Sequence, residues 1–296
     1  MIFTNKYNMP EMFVAYCKAK FERELPVTRT HIGVTSLIDS AWKAHLTRKH
    51  NDEITVDISD LFFAFRGEFT HEAAEAVDMW NVLSGKFEMP LKYKDQTINL
   101  RGVADQITPY TITDHKTMKV SGIWYMDKDK YVEQVNLYKY MAEKLFGLPI
   151  NRLCIDLYFM DWTQAMAGKN NYPEAPSMSY EVPVWSEEQA EAYIWSRIGE
   201  HFADEKDMPL CTPKERWKRD AVFAVMKKGN KKSTKNCDTM EEAIAYASEK
   251  GYFLGKTHDI ETREGIDARC VNFCSANKFC PYWQENYAGK EIDSVD

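Results

Sequence analysis

In the run "YTITDHKT", residues 110 to 117, Asp114 and Lys116 stand two apart. In an extended strand that spacing puts both side chains on one face and His115 on the other. A second carboxylate, Asp105, closes the apolar run "LKYKDQTINLRGVADQI", which a turn at Thr108-Pro109 separates from the first. Pairing of the two runs as an antiparallel hairpin would bring Asp105 alongside Asp114, where two carboxylates repel unless a cation sits between them. Oxygen ligands of this kind suit Mg2+ or Mn2+, which can hold a water and a phosphate at once. A lysine beside such an ion positions or deprotonates the water and stabilises the charge that builds on phosphorus. Gln134 and Tyr138 lie four apart, hence on one face of a helix, where the glutamine can hold Lys116 and the tyrosine can meet a phosphate. Upstream, "RGEFTHEA" offers His71, a good metal ligand, near the start of a helix. An isolated Asp-x-Lys is usually a surface ion pair worth little, so it is the company of these residues that points to chemistry.

The elements that must position them read as mixed α/β. "PEMFVAYCKAKFEREL" and "VTSLIDSAWKAHLTRK" carry apolar residues at helical spacing, which predicts a helical N-terminal segment over residues 1–55 that packs on the core. "RGEFTHEAAEAVDMWNVLSG" predicts another helix, with Gly85 as its stop. The β-rich hairpin comes next, then the helix "YVEQVNLYKYMAEKLFG" ending at Gly147, then strands at "NRLCIDLYFMDW" and "MSYEVPVW" and the amphipathic "SEEQAEAYIWSRIGEHFA". These elements make a core over residues 56–204. Residues 205–296 differ in texture, with a hairpin at "KKGNKK", a capping box opening the helix "TMEEAIAYASEKG" and a terminal cysteine cluster. No internal repeat or low-complexity tract interrupts the chain.

The 296 residues carry a formal net charge of −7, which argues against a uniformly basic coat for nucleic acid but says nothing of local patches. No stretch is apolar enough to span a membrane and the first residues lack the apolar centre of a secretory signal, so a cytoplasmic location is expected. In that reducing compartment, seven cysteines are not a disulfide framework. "RCVNFCSANKFCPYW" places Cys270, Cys274 and Cys280 close enough to share a metal centre, and Cys211 in "PLCTPKERW" is the expected fourth ligand, closing the tail like a clasp. All-cysteine ligation suits a [4Fe-4S] cluster or zinc, and spacing does not choose between them. Cys17, Cys154 and Cys237 read as small hydrophobes. Between Lys214 and Lys235 nine basic residues face only Glu215 and Asp220. With Trp217 and Phe223 interleaved, this stretch nominates Lys214, Arg216, Trp217, Lys227, Lys228, Lys231 and Lys232 for binding a phosphate backbone and stacking a base. A solvated lysine-rich hairpin is the competing reading.

Gly67 to His71, Gly102-Val103-Ala104-Asp105, Asp114-His115-Lys116 and Gln134 with Tyr138 together resemble, in order and spacing, the RecB-type branch of the PD-(D/E)XK nucleases. The resemblance implies a restriction-endonuclease-like core, a central mixed sheet flanked by helices. It implies His71, Asp105, Asp114 and the His115 backbone carbonyl as metal ligands, Lys116 as the catalytic lysine, and Gln134 and Tyr138 as its supports. Asp114 stands where the family often has glutamate. The cysteines are similar to those of iron–sulfur nucleases of the CRISPR-associated, AddB and phage types, which leans toward a [4Fe-4S] cluster with a structural role. Several of those families place the distant cysteine ahead of the nuclease motifs, which would nominate Cys17, whereas Cys211 to Trp217 looks like the phage-type arrangement. The expectation is a Mg2+- or Mn2+-dependent deoxyribonuclease, most readily an exonuclease acting on single- or double-stranded DNA with a free end in phage or bacterial recombination and repair. A homo-oligomer or a recombination-protein partner would fit that setting. The rivals are a catalytically silent DNA-binding subunit that keeps the fold and a zinc-stabilised nucleic-acid-binding module.

Overall fold

The computed structural model describes residues 1–22, 29–68 and 86–290. The chain divides into two units, Met1–Pro209 and Leu210–Asp296. Among the described residues no helix is long and apolar enough to cross a membrane.

The first unit is mixed α/β and runs β1 (Ile2–Thr4), α1 (Glu11–Phe21), β2 (His31–Gly33), α2 (Val34–Leu37), α3 (Ala41–Lys49), β3 (Thr55–Asp57), β4 (Lys86–Tyr93), β5 (Gln96–Val103), β6 (Gln106–Ile107), β7 (Thr111–Met118), α4 (Gly122–Tyr125), α5 (Lys128–Phe146), β8 (Arg152–Phe159), β9 (Ser177–Glu181) and α6 (Glu187–His201). One sheet has the order β2-β5-β4 and another the order β6-β7-β8-β9. β7 and β8 pair in parallel from Thr111 with Arg152 to Met118 with Phe159, so the chain between them must cross over, and α5 makes the crossing. α5 buries Val135, Leu137 and Met141 against Ile112, Leu153 and Ile155 of the sheet, all in one apolar core. It stops at Gly147, whose φ of 65° is the left-handed cap that glycine adopts without strain. α6 opens on a capping box formed by Ser186 and Gln189.

Three sequence expectations change here. The N-terminal segment is not purely helical, because "IFT" pairs in parallel with β3 and "HIG" with β5. Strands of three residues show no period, so only their distant partners define them. The run 34–49 is two helices, since Ser40 caps α3 by accepting the Lys43 N–H at 3.3 Å. The carbonyls of Leu37 and Asp39 freed by that break are taken up by Arg197 and by His201 Nε2, 3.1 Å from each. Burial, and then the charges of Arg29 and Arg197, push the His201 imidazole down to about 3, keeping it a neutral donor to those carbonyls. Finally, "LKYKDQTINLRGVADQI" is three strands, with a turn at Lys94, which has a φ of 52°, between β4 and β5. Residues 62–68 are helical, so of the helix expected over "RGEFTHEAAEAVDMWNVLSG" only residues 66–68 are described, and residues 69–85 lie outside the described residues.

The second unit holds β10 (Lys218–Arg219), β11 (Val222–Lys227), β12 (Ser233–Cys237), α7 (Met240–Glu249), β13 (His258–Arg263), β14 (Ile266–Asp267), α8 (Ala268–Asn272) and α9 (Pro281–Asn286). β11 is the centre of a three-stranded antiparallel sheet, and Val225, Cys237 and Ala243 form its small core. The "KKGNKK" hairpin joins β11 to β12 with Gly229 at φ 83°. α7 is capped by Thr239, which accepts the Glu242 N–H at 3.2 Å, while Glu242 reaches back to the Asp238 N–H.

Candidate active site and cysteine cluster

Asp114 and Lys116 point from β7 toward α5, and that helix returns Gln134 to meet them. The Lys116 ammonium lies 2.6 Å from Asp114 Oδ2 and donates to Gln134 Oε1 at 3.2 Å. The Gln134 amide in turn donates to Asp114 Oδ1 at 3.0 Å and to the Tyr138 hydroxyl at 3.2 Å. Asp114, Lys116 and Gln134 thus close a ring, and each hydrogen bond sets the orientation of the next. Asp114 is 1% exposed and Lys116 keeps about a fifth of its side chain in solvent, so the ring sits at the rim of the core. A buried carboxylate of this kind is tolerable because it has both an ammonium and an amide.

Asp105 follows β5 and accepts the His115 backbone N–H at 2.8 Å. That bond brings the second carboxylate alongside β7, as the hairpin reading requires, although the pairing strand is the short β6. The His115 ring faces the opposite side of the sheet, with Nδ1 3.5 Å from Asp156 and 3.4 Å from the Tyr158 hydroxyl. His115 therefore serves this site through its main chain. Tyr138 is 2% exposed and stacks on Phe87 at 6.0 Å. Burial raises its hydroxyl, the Gln134 bond offsets part of this, and the charges of Asp114 and Asp105 raise it further. His71 lies outside the described residues.

Gly102 explains the start of the "GVAD" motif. A Cβ there would lie 2.6 Å from Tyr138 Cε1 and 3.1 Å from Val34 Cγ2, so only glycine lets the tyrosine ring lie against β5. Gly102→Ala is expected to destabilise the first unit by about 1–3 kcal/mol, the range for overpacking a filled core, and to show as a lowered melting temperature. Sequence reasoning missed Tyr131, whose ring lies 5.5 Å from the Lys116 ammonium. The signal was present, since 131, 134 and 138 share a helix face. Burial, then Asp114 and Asp127, raise the Tyr131 hydroxyl, and Tyr180 on β9 is pushed up to about 12 by burial, then Tyr131 and Asp114.

In the second unit, Cys270 and Cys280 are buried and Cys211 and Cys274 half-buried. The Cys270 thiol is pushed up to about 12, first by burial and then by Asp267, Cys211, Cys274 and Cys280, so each of these groups lies near Cys270. Cys17 instead sits in an apolar cluster of the first unit with Phe13 and Ile58. The buried Cys270 thiol resists ionising on its own, and a bound cation would stabilise its thiolate. Among the described residues, no three His, Cys, Asp or Glu side chains are preset as a metal site. The Cys211 loop is held by Arg216, which donates to the Cys211 carbonyl and, at 3.0 Å, to Asp267. Asp267, 3% exposed, also accepts from Tyr282 and Tyr287 at 2.7 Å each.

That bond corrects the assignment of Arg216 to nucleic acid, because its guanidinium turns inward and stacks on Tyr282 at 4.1 Å. The other nominated cations also do not form one patch. Lys214 and Trp217 are exposed on the loop before β10, whereas Lys227, Lys228, Lys231 and Lys232 are exposed at the far tip of the β11–β12 hairpin. The six residues of β11 span about 17 Å.

No protein-family model matches the sequence, and no curated protein matches it. Solved structures give distant likenesses. SSO0001 shares 14% identity at a TM-score of 0.43, over 66% of this chain and 88% of its own. An alkaline exonuclease from Laribacter hongkongensis, LHK-Exo, shares 10% identity at a TM-score of 0.34, over 58% of this chain and 88% of its own. Rai1 from Scheffersomyces stipitis, solved with (3'-NADP)+ and calcium ion, shares 11% identity at 0.25, over 93% of this chain and 79% of its own. At these values the reading of the site rests on its own geometry.

Proposed function

We propose that the chain is a metal-dependent nuclease that hydrolyses DNA phosphodiester bonds from a free end, built on a restriction-endonuclease-like core. The observation that carries this reading is the closed Asp114-Lys116-Gln134 ring with Asp105 drawn alongside by the His115 N–H. Two carboxylates and a main-chain carbonyl are hard oxygen donors, which fit Mg2+ or Mn2+ held by Asp105, Asp114, His115 and His71. Such an ion, when bound, supplies Lewis-acid stabilisation of the phosphate charge. Lys116 holds the attacking water by a hydrogen bond and places its positive charge where charge develops at phosphorus. Gln134 keeps the ammonium in place, and Tyr138 stays protonated as a donor because its ionisation is disfavoured. In the second unit, Cys211, Cys270, Cys274 and Cys280 would hold a [4Fe-4S] cluster as a structural clasp, with zinc as the alternative.

A time course on end-labelled single- and double-stranded DNA tests the reading. Cleavage is expected with Mn2+ or Mg2+ and none with EDTA, and a circular substrate should persist if a free end is required. DNA left whole in every metal would instead indicate a silent DNA-binding subunit. Visible absorbance of anaerobically purified protein separates a coloured cluster from colourless zinc.

A further inference from the structure

Trp217 and Phe273 form a pair of large aromatic side chains that the second unit leaves open. They are 42% and 62% exposed, with ring centroids 5.3 Å apart and planes tilted by 54°. Aromatic surface of this size is normally buried, and exposing two such rings side by side points to a ligand. Trp217 is moreover held in an uncommon backbone conformation, with φ at 55°. Residues 212–217 make a helical turn in which the Arg216 N–H reaches the Thr212 carbonyl, the Trp217 N–H the Lys214 carbonyl and the Lys218 N–H the Pro213 carbonyl. The last bond makes residue 217 the left-handed cap, a place that glycine or asparagine fills without strain. A tryptophan there costs backbone energy, and strain of this kind gathers at functional positions.

The surroundings say what the pair would take. Arg269 covers one side of the Trp217 ring, its guanidinium 5.4 Å from the centroid, and its side chain is fixed by a bond to the Glu215 carbonyl. The rim of the turn is cationic, since Lys214, Lys218 and Arg219 are exposed beside Trp217 while the exposed acid Asp220 lies 3.6 Å from Lys218. An open indole backed by a guanidinium and ringed by cations matches a base with its phosphates, whereas an apolar protein surface would have no use for the cations.

We propose that Trp217 and Phe273 form a stacking platform for unpaired bases of single-stranded DNA, with Lys214, Lys218 and Arg219 as its phosphate contacts. Phe273 belongs to the site although no basic stretch contains it, because the fold brings the residue before Cys274 beside the residue after Arg216. The substrate class rests on the nuclease reading, but the binding does not require cleavage. Double-stranded DNA would not suffice, since its bases are already stacked.

The test is fluorescence anisotropy of a labelled thymidine oligonucleotide with the full chain in EDTA, alongside a strand of equal length with abasic sites. Trp217→Ala is expected to weaken thymidine-strand binding about tenfold and Phe273→Ala several-fold, the range for losing one stacked base. Trp217→Phe should restore most of the affinity. The abasic strand should bind the wild type weakly and be nearly insensitive to either substitution. Trp217→Gly suits the left-handed backbone, so it should keep the turn folded in a thermal melt and still lose affinity. Equal ratios of thymidine to abasic affinity in the wild type, Trp217→Ala and Trp217→Gly would overturn the platform. If instead the wild type never cleaves DNA but these ratios change as expected, the platform stands and the nuclease reading falls.

Discussion

Lys116→Ala is expected to lower metal-dependent DNA cleavage by about 10²–10⁴-fold, the range for removing a group that positions the nucleophile and stabilises developing charge. The ammonium is the only member of the ring that can give up a proton or carry positive charge, and it is held from three sides by Asp114, Gln134 and the Tyr131 ring. Its removal also leaves the Asp114 carboxylate, 1% exposed, without its cation, so the melting temperature should fall as well. Addition of Mn2+ should recover part of that loss, because a divalent ion replaces the missing charge beside Asp114. Oligonucleotide affinity should be retained. Cleavage by the variant at the wild-type rate would remove this ring from the mechanism. Gln134→Glu gives a finer reading, since a carboxylate 3.0 Å from Asp114 repels it unless a cation intervenes.

Asp267→Ala is expected to destabilise the second unit by about 3–5 kcal/mol, the cost of stripping a buried ion pair of one partner. Arg216 Nε and the Tyr282 and Tyr287 hydroxyls all donate to this carboxylate, and the Tyr287 hydroxyl also accepts the Asp267 N–H at 2.9 Å. Burial raises the Asp267 carboxyl, but the bonds from Tyr282, Tyr287 and Arg216 more than offset this and leave it below the usual carboxylate range. Its contribution is therefore present above about pH 4, the unfolded value, and is lost as pH falls through the lower folded value. Loss of Asp267 frees Arg216 from one of its two hydrogen-bonded anchors, and the other is the Cys211 carbonyl. The cysteine loop should loosen with it. Iron or zinc content, measured beside the melt, should fall in Asp267→Ala and stay full in Asp220→Ala, whose carboxylate is exposed.

Much of the site was legible because its residues are local. Asp114 and Lys116 share a strand and Gln134 and Tyr138 share a helix, so period alone places each pair on one face. Gly147 and Ser186 likewise announce the ends of their helices through local backbone preference. Where the reading faltered, the deciding partner was distant in sequence. Arg216 reads as a cation for phosphate until Asp267, 51 residues later, draws it inward. The basic stretch reads as one patch until β11 extends and carries its lysines to a separate tip. "HIG" has no pattern of its own and becomes a strand only beside Asn99 to Arg101.

From its residues alone, the chain declared which chemistry it could host: hard oxygen donors with a lysine in one place and clustered thiols in another. Residue type and short-range spacing are enough for that, because both follow from covalent geometry and the two backbone periods. Only the tertiary structure decided that β7 and β8 run parallel, that α5 therefore returns Gln134 onto Asp114, and that Cys211 comes near Cys270. Those outcomes depend on contacts between segments far apart in the chain, whose closure is set by the burial of a shared core and leaves no mark in any local window.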